Sequence, residues 1–297
     1  MFQLSILNNI QFYIKACRPT QWVKNTIVFA GIVFALQFTN PDKIFRSITA
    51  FIAFCLLSSA VYLFNDVQDK EFDRLHPKKK NRPIAAGKIP VANALALSVI
   101  FAIVALILAF QINVGLGAVS AAYLLLNIFY SKILKKIVII DVMSIAVGFV
   151  LRAAAGAFAI NVAISSWLLI STILLALFLG FAKRRHEVIL LDEKATSHRA
   201  ILEHYSLPFL DQMISVVTAS TVVVYALYTT STHPNLPSNA NLGFTIPFVL
   251  YGIFRYLYIV YQKSEGGSPT ESLLTDKPLL VNIALWLITV IILLKVF

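Results

Sequence analysis

Long apolar runs separated by short polar segments dominate this chain. A helix needs about 20 predominantly apolar residues to cross the hydrocarbon core of a bilayer, and the longest runs reach or approach that length. The candidate spans fall at about 23–40, 44–64, 91–110, 114–131, 138–160, 164–182, 210–232, 243–262 and 278–297. The first run is the weakest, because Lys24 and Asn25 stand at its start. The pattern predicts an all-α, polytopic membrane bundle of about nine transmembrane helices, with residues 1–297 forming a single domain.

The composition favours the same class of protein. Hydrophobic residues make up 59% of the 297 residues and charged residues only 13%, whereas soluble globular proteins average about 25% charged residues. The N-terminal residues lack the basic start and small-residue cleavage site of a secretory signal, so the first membrane segment is expected to be retained. Cys17 and Cys55 are too few for a disulfide framework or a cysteine metal site.

Basic residues are distributed unevenly between the two sides that this topology defines. Most of the 25 Lys and Arg residues fall before the first span or in the segments 65–90, 131–137 and 183–209. By the positive-inside rule, residues 1–21 and these three loops are predicted to be cytoplasmic and the C-terminus to lie outside. Most acidic residues fall on the same side. The three loops are therefore expected to share one polar cavity that opens to the cytoplasm and holds the active site.

The densest cluster of charge is NDVQDKEFDRLHPKKKNRP at residues 65–83. If the preceding helix continues through it, Asp66, Asp69 and Asp73 point within about 60° of one another and form one acidic face. Two carboxylates about 4 Å apart repel by roughly 4 kcal/mol at an effective dielectric constant near 20, so this face requires a cation. Mg²⁺ fits, because it usually takes one or two carboxylates together with substrate phosphates. The alternative is a solvated loop whose charges pair locally.

Two further groups of charge lie in or next to membrane segments. Asp141, Gly148 and Arg152 fall within about 20° of one helix face. Because a charge near the membrane centre costs at least about 2.5 kcal/mol, Arg152 is a functional candidate, with a structural ion pair to Asp141 or another helix as the alternative. KRRHE at 183–187 is expected to begin the loop after the sixth span, as an anion-binding group or a cytoplasmic anchor.

These motifs carry a resemblance to a known family. NDVQDKEFD at 65–73 matches the pattern NDxxDxxxD, and on it the chain resembles the UbiA superfamily of intramembrane prenyltransferases. The wider sequence resembles the decaprenyl-phosphate (polyprenyl-phosphate) phosphoribosyltransferase branch over nearly the whole chain. The blocks that carry this closer resemblance are RPTQWVKN at 18–25, YSKILK at 130–135, DVMSIAVGFVLRAAAGA at 141–157, KRRHE at 183–187 and EGGSPTESLLTDKPLL at 265–280. In KRRHE, basic residues largely replace the second Asp-rich motif of prenyl-transferring relatives, which suits a donor with an additional phosphate.

The resemblance implies transfer of the 5-phosphoribosyl group from phosphoribosyl pyrophosphate to a polyprenyl phosphate, with release of pyrophosphate. It implies Mg²⁺ as cofactor, bound directly or through water by Asn65, Asp66, Asp69 and Asp73, with the three aspartates as catalytic residues. The residues expected to bind the donor or the head group of the acceptor are Lys24, Asn65, Lys78, Arg82, Tyr130, Lys135, Arg152, Lys183, Arg184 and Glu187. Asp141 is expected to orient a ribose hydroxyl or one of these basic side chains.

Two other functions stay open on the sequence alone. A UbiA-type prenyltransferase that acts on an aromatic or haem acceptor shares the first motif but needs its second acidic motif. A transporter of anionic metabolites also needs buried charge, yet it requires polar groups toward both faces, whereas the outer loops here are nearly free of charge. No nucleotide-binding or hydrolase fingerprint occurs, and no nucleic-acid partner is expected. The sequence does not decide the lipid chain length or whether the chain forms a homo-oligomer.

Overall fold

Helices account for the whole described architecture. The structure, a computed structural model, describes residues 2–75, 79–164, 166–193, 200–231, 241–263, 267 and 269–296, and these ranges contain no strand. The α-helices are α1 (Phe2–Cys17), α2 (Ala30–Phe34), α3 (Pro41–Gln68), α4 (Lys70–Leu75), α5 (Val91–Ile112), α6 (Val114–Lys132), α7 (Ile140–Ala159), α8 (Ser166–Glu193), α9 (Leu207–Thr230), α10 (Ile246–Tyr261), α11 (Pro269–Thr275) and α12 (Lys277–Val296). Short 3-10 helices cover Pro19–Phe29, Lys79–Asn81, Leu134–Lys136, Ala200–His204 and Leu242–Thr245.

The predicted class, an all-α membrane bundle, is confirmed. Within the described residues, 8 helices are long and apolar enough to cross a membrane, namely α3, α5, α6, α7, α8, α9, α10 with the 3-10 turn before it, and α12. α3 and α7 are the most enclosed of them, whereas the others turn wide apolar faces outward, as helices at a lipid boundary do. The polar side chains in the middle of α3 and α7, such as Ser58, Ser59 and Arg152, therefore lie inside the bundle.

The first predicted span, 23–40, takes a form that the sequence does not predict. It is a 3-10 helix over Pro19–Phe29 followed by the short α2, rather than one α-helix. At about 2.0 Å of rise per residue, the 3-10 part alone covers most of the hydrocarbon thickness. The side chain of Arg18, just before it, contacts Asp66 near the end of α3, whereas Pro41, just after it, begins α3. The chain must therefore cross the bundle between residues 18 and 41, and this crossing brings the total within the described residues to nine.

Close packing against α7 explains how a 3-10 segment is accommodated in the membrane. A Cβ atom added to Gly156 would lie 1.9 Å from the carbonyl oxygen of Val28, and one added to Gly31 would lie 2.8 Å from the carbonyl carbon of Gly156. The two glycines let backbone approach backbone, as small residues do between membrane helices. Irregular backbone is tolerated at membrane depth where protein covers it, and α3 and α7 provide that cover.

The helix that carries the acidic cluster ends earlier than predicted. α3 ends one residue before Asp69, which adopts φ −93° and ψ 7°, and the short α4 starts directly after it. The hydrogen-bonding pattern nearly continues, because Asp69 N donates to the carbonyl of Asn65 and Asp73 N to the carbonyl of Asp69. The expectation of one uninterrupted helix over 65–73 is nevertheless wrong, and Asp69 sits at the break.

The helix that carries KRRHE is longer than predicted. α8 runs through residues 183–187 and ends at Glu193, so the predicted loop 183–209 begins only after that residue. Lys, Arg and Glu have high helix propensity, and the pair Lys183–Glu187, 3.9 Å between Nζ and Oε1, has the i,i+4 spacing that supports a helix. The basic side chains of this segment are consequently presented by a regular helix.

Candidate active site

Asp66 and Asp73 lie at the centre of the charged end of the bundle, where α3 and α6 end and α8 carries KRRHE. Both residues are buried, with 2% and 4% of their surface exposed. Nη1 of Arg82 donates to Oδ1 of Asp66 at 3.1 Å and to Oδ2 of Asp73 at 2.6 Å. Arg18 donates to the same oxygen of Asp66. Because one nitrogen of Arg82 serves both carboxylates, the two aspartates share one site.

Asp69 lies beside this pair but has a different partner. Nζ of Lys135, in the 3-10 turn after α6, donates to Oδ1 of Asp69 at 2.8 Å. Asn65 accepts a hydrogen bond from the hydroxyl of Ser131, near the end of α6. The segments that follow α3 and α6 therefore meet at the charged end.

This arrangement reduces the number of predicted metal ligands that lie together. Among the described residues, no group of three or more His, Cys, Asp or Glu side chains is placed to hold a metal ion alone. The set Asn65, Asp66, Asp69 and Asp73 thus does not form a closed cage of protein ligands. Asp66 and Asp73 nevertheless fit Mg²⁺, which commonly takes one or two carboxylates and leaves its other positions to water and substrate phosphates.

Local pairing, the alternative to a functional charge cluster, accounts for part of the segment 65–83. Nη1 of Arg74 lies 3.0 Å from Oε2 of Glu71, and both side chains are exposed. Nε of Arg74 also donates to the carbonyl of Ala85 at 3.2 Å. These contacts fix α4 against the following turn and leave Asp73 to face the bundle. Lys78 lies outside the described residues.

Arg152 lies deep in the bundle, and its hydrogen-bond partners are neutral. Nε donates to Oδ1 of Asn25 at 2.7 Å, Nη2 to the hydroxyl of Tyr123 at 2.7 Å, and Nη1 to the carbonyl of Gly148 at 3.1 Å. Asn25 in turn donates to the hydroxyl of Ser58 on α3 at 3.2 Å. α7, α6, α3 and the 3-10 segment therefore meet around one guanidinium.

Asp141 is held by Arg184, so the structural alternative for Arg152, an ion pair with Asp141, is wrong. Nε of Arg184 donates to Oδ2 of Asp141 at 2.7 Å, and the hydroxyl of Tyr205 donates to Oδ1 at 2.6 Å. Asp141 is fully buried, and protein donors occupy both of its oxygens. Of the two predicted roles, the structure favours the one in which Asp141 orients a basic side chain.

The hydroxyl of Tyr205 also stabilises an unfavourable backbone conformation. It accepts a hydrogen bond from the amide of Ile139 at 2.7 Å, and Ile139 has φ 69°, which is rare for a β-branched residue. Burial, reinforced by the hydrogen bond to Asp141, raises the pKa of Tyr205 above its ordinary value. The hydroxyl therefore keeps the proton that it donates to Asp141.

The other residues of KRRHE surround Arg184. Arg184 donates to Glu187, and Glu187 also lies near Lys183. Tyr130, at the end of α6, lies within electrostatic range of Arg184. The structure thus brings the predicted residues Tyr130, Asp141, Lys183, Arg184 and Glu187 into one region of the charged end.

Several residues of these networks escaped the sequence analysis. Arg18 and Asn25 lie in RPTQWVKN, the block that also contains Lys24, and the resemblance of this block to the family is the signal that points to them. Tyr123 and Tyr205 are aromatic residues in apolar or mixed surroundings, and no local pattern distinguishes them from packing residues.

The fold and this site define a class of protein: a polytopic helical membrane protein with buried acidic and basic residues gathered at one end. The chain belongs to the UbiA prenyltransferase family, whose sequence profile matches residues 26–273.

The chain is similar along most of its length to two curated relatives. It is 34% identical over 288 residues to a decaprenyl-phosphate phosphoribosyltransferase of Corynebacterium glutamicum, which covers 94% of this chain and 85% of the relative. It is 31% identical over 295 residues to a decaprenyl-phosphate phosphoribosyltransferase of Mycolicibacterium smegmatis, with 95% and 92% covered. These matches confirm the predicted resemblance.

Solved structures confirm the fold. A UbiA homolog from Archaeoglobus fulgidus bound to GPP and Mg²⁺ superposes with a TM-score of 0.74 at 16% identity, over 96% of this chain and 99% of that one. The structure of the same homolog bound to Cd²⁺ gives a TM-score of 0.70 at 17% identity, with the same coverage.

Proposed function

We propose that this protein is an enzyme that transfers the 5-phosphoribosyl group from phosphoribosyl pyrophosphate to a decaprenyl-type polyprenyl phosphate and releases pyrophosphate. The observation that carries the proposal is the similarity, over almost the whole chain, to relatives named decaprenyl-phosphate phosphoribosyltransferase. The basic segment 183–187 supports it, because Lys183 and Arg184 suit a donor with three phosphate groups better than a second acidic motif would.

In this proposal, Asp66 and Asp73 hold Mg²⁺ together with the diphosphate of the donor. The metal, when bound, supplies positive charge that offsets the charge growing on the leaving pyrophosphate. Arg82 and Arg18, which pair with the two carboxylates, would turn toward the phosphate oxygens of the donor. The site thereby exchanges internal ion pairs for contacts with the donor.

The transfer forms one bond and breaks one bond at C1 of the ribose. A phosphate oxygen of the acceptor bonds to C1 while the bond from C1 to the pyrophosphate oxygen breaks, and the electron pair of that bond leaves with pyrophosphate. C1 acquires oxocarbenium character, as in other glycosyl transfers. The acceptor phosphate is already an anion near pH 7, so no general base is required.

The remaining charged residues position the donor. Lys135, held by Asp69, and Arg184, held by Asp141, project from neighbouring elements of the charged end. Arg184 with Lys183 is assigned to the phosphate that prenyl diphosphates lack. Tyr130 and Glu187 fix the orientation of these bases by hydrogen bonding or charge.

The donor is soluble, so the charged end is proposed to face the cytoplasm. The excess of Lys and Arg at that end supports this orientation through the positive-inside rule. The protein is then an integral protein of a bacterial-type inner membrane, with a lipid acceptor that reaches the site from the bilayer.

Purified protein incubated with Mg²⁺, phosphoribosyl pyrophosphate and decaprenyl phosphate tests the proposal. We expect release of pyrophosphate and a lipid product whose mass is increased by one phosphoribosyl group, both detected in the same reaction. Geranyl diphosphate with an aromatic acceptor serves as the comparison. Transfer of the geranyl group without formation of a phosphoribosyl lipid would contradict the proposal.

A further inference from the structure

Arg152, buried in the bundle, and the half-buried Lys24 have no carboxylate partner among the described residues. We call Lys24 and Arg152, with the neutral Asn25 and Tyr123, the inner cation site. Arg152 is 6% exposed and donates hydrogen bonds only to neutral groups. Lys24 makes no hydrogen bond or ion pair with the described residues. Lys24 directly precedes Asn25, the hydrogen-bond partner of Arg152, in the 3-10 segment.

Four other basic residues of the charged end pair with carboxylates. Arg18 and Arg82 contact Asp66, Lys135 contacts Asp69, and Arg184 contacts Asp141. The inner cation site differs from these four residues, because it brings together two positive charges that have no carboxylate partner among the described residues.

Neutral groups stabilise this charge but do not cancel it. The guanidinium of Arg152 lies 4.7 Å from the ring centroid of Tyr123 and 5.1 Å from that of Phe149, within the range of cation–π attraction. Such contacts, with hydrogen bonds to an amide and a hydroxyl, keep the side chain in place. A second cation nearby is unfavourable unless an anion binds between them, since like charges repel strongly where water is scarce.

The inner cation site lies farther into the membrane than the carboxylates. Asn25, the partner of Arg152, contacts Ser58, which is two turns before Asp66 on α3. At 1.5 Å per residue, the separation along α3 is about 12 Å. Arg18, the partner of Asp66, stands at the start of the same 3-10 segment that carries Lys24 and Asn25. The inner cation site thus lies on the membrane side of the carboxylate pair and adjoins it.

From this geometry we infer that the inner cation site binds the phosphate of the lipid acceptor, while the diphosphate of the donor binds at Asp66, Asp73 and Arg82. This inference rests on the proposed function and assigns its two substrates to separate subsites. A phosphate monoester with up to two negative charges matches two cations. A site without carboxylates has no need of Mg²⁺, unlike the diphosphate site.

The direction of attack supports the same assignment. The acceptor oxygen must come within about 3–3.5 Å of the ribose C1, in line with the bond that breaks. If the diphosphate leaves toward the charged end, the acceptor approaches from the opposite side, which is the membrane side. A polyprenyl tail reaches that side directly from the bilayer, whereas the soluble donor enters at the charged end.

Lys24→Met tests this assignment, because it removes the charge and keeps the length of the side chain. We expect the KM for decaprenyl phosphate to rise at least about tenfold, the loss expected for one charge-assisted contact. The Kd for phosphoribosyl pyrophosphate with Mg²⁺, measured by calorimetry, should change by less than about twofold. Lys24→Arg should restore most of the lipid affinity. Lys15→Met is the matched control, since Lys15 is exposed on α1, and it should change neither constant.

Asn25→Asp provides a second variant that removes no side-chain volume. The new carboxylate would pair with Arg152 and compete with the lipid phosphate, so binding of decaprenyl phosphate in native mass spectrometry should weaken at least about tenfold. Competition with inorganic phosphate at the same concentration tests whether the site prefers a lipid phosphate to a free anion. We expect decaprenyl phosphate to stay bound. Displacement of decaprenyl phosphate by inorganic phosphate would overturn the assignment to a lipid.

The outcomes separate this inference from the proposed function. Loss of donor affinity in Lys24→Met, with an unchanged KM for the lipid, would assign the inner cation site to the donor and overturn the inference. Lys24-dependent binding of decaprenyl phosphate without phosphoribosyl transfer in the wild type would retain the inference and remove the proposed function. Absence of decaprenyl phosphate binding in the wild type would remove both.

Discussion

Two buried aspartates that share one arginine dominate the chemistry at the scale of single residues. Asp66→Asn and Asp73→Asn keep the shape of the side chains and remove the charge that holds Mg²⁺ and the donor diphosphate. We expect each variant to lower the rate of phosphoribosyl transfer by about 100-fold or more, the effect typical of removing one electrostatic contact to a transition state. Product lipid measured in single-time-point and progress-curve assays checks this.

Asp42→Asn is the matched control for these two variants. Asp42 lies in the first turn of α3, at the opposite end of the same helix, where it pairs with Arg46 at 2.8 Å and is exposed. The rate of this variant should stay within about twofold of the wild type, since exposed ion pairs contribute little. Near-native rates in both Asp66→Asn and Asp73→Asn would rule out the metal role.

The pairing of Asp66 and Asp73 with arginines predicts an order of binding. Because Arg82 and Arg18 already offset the charge of the carboxylates, Mg²⁺ alone has to displace a guanidinium without replacing its partner. We expect calorimetry to detect weak or no binding of Mg²⁺ alone, and clear binding once pyrophosphate is present to receive the arginines. Tight binding of Mg²⁺ without any phosphate would contradict this.

The residue types of the site were more predictable than its pairings. The spacing in NDVQDKEFD and the following basic run identified Asp66, Asp73 and Arg82, because such a concentration of charge beside a membrane helix needs a chemical reason. The partner of Asp66 was not predictable, since Arg18 lies 48 residues away in sequence. Asp141 and Arg152 share a helix face, yet their partners come from other helices.

At the scale of elements, the contact between the 3-10 segment and α7 makes a sharp prediction. Gly156→Ala places a Cβ atom where the carbonyl of Val28 now lies, so the two backbones must separate. Overpacking of this kind typically costs about 1–3 kcal/mol, and the melting temperature of the purified protein should fall.

Gly148→Ala is the matched control on the same helix. A Cβ atom there would meet nothing closer than Nη1 of Arg152 at 3.6 Å and a ring carbon of Tyr123 at 3.7 Å, which are ordinary contacts. Its melting temperature should stay close to that of the wild type. Equal melting temperatures for Gly156→Ala and the wild type would contradict the close backbone approach.

A second element-scale prediction concerns the junction of α11 and α12. Asp276 accepts from Nε and Nη2 of Arg255 at 3.0 and 2.9 Å, from Lys263 at 3.3 Å, and from the amide of Leu279 at 3.1 Å. The pKa of Asp276 is lowered to about 2, and the largest cause is hydrogen bonding from the side chain of Arg255. The carboxylate therefore ties α10 to the start of α12.

Linkage gives the pH dependence of this contact. A group whose pKa is lowered on folding stabilises the protein above its ordinary pKa, about 3.9 for Asp, and loses that contribution as the pH falls toward its folded value. Asp276→Asn should thus lower the melting temperature by a constant amount from pH 7 to pH 5. The difference from the wild type should shrink below about pH 4. A difference that grows on acidification would contradict the pairing.

The apolar pattern predicted the crossings better than the helix types. Runs of the right length located all eight of these spans, because burial in lipid requires apolar length. Most of the predicted boundaries, though not the end of α8, lie within a few residues of the observed ones. The same pattern could not distinguish an α-helix from a 3-10 segment at 23–40. That choice depends on Gly31 and Gly156, which come from distant parts of the chain. The apolar pattern does not predict that α8 continues through KRRHE, because a run of charged residues ordinarily marks the end of a membrane span.

At the scale of the whole molecule, the 3-10 segment sets the number of crossings and so the positions of the two ends of the chain. With it, residues before Arg18 and the charged end lie on one side, and the start of α3 lies on the other. The positive-inside rule then places the charged end in the cytoplasm. Single cysteines in intact bacterial cells, labelled with a membrane-impermeant maleimide, test both points. Cys17 and Cys55 are buried, so background labelling is expected to be low.

Lys15→Cys and Thr39→Cys lie on exposed positions at either end of the 3-10 crossing. We expect Thr39→Cys to react from outside and Lys15→Cys to react only after the cells are lysed. Lys136→Cys, exposed after α6 at the charged end, should behave like Lys15→Cys. Equal reactivity of Lys15→Cys and Thr39→Cys in intact cells would show that the segment does not cross. Reaction of Lys136→Cys from outside would show that the charged end faces outward, where a cytoplasmic donor could not reach the site.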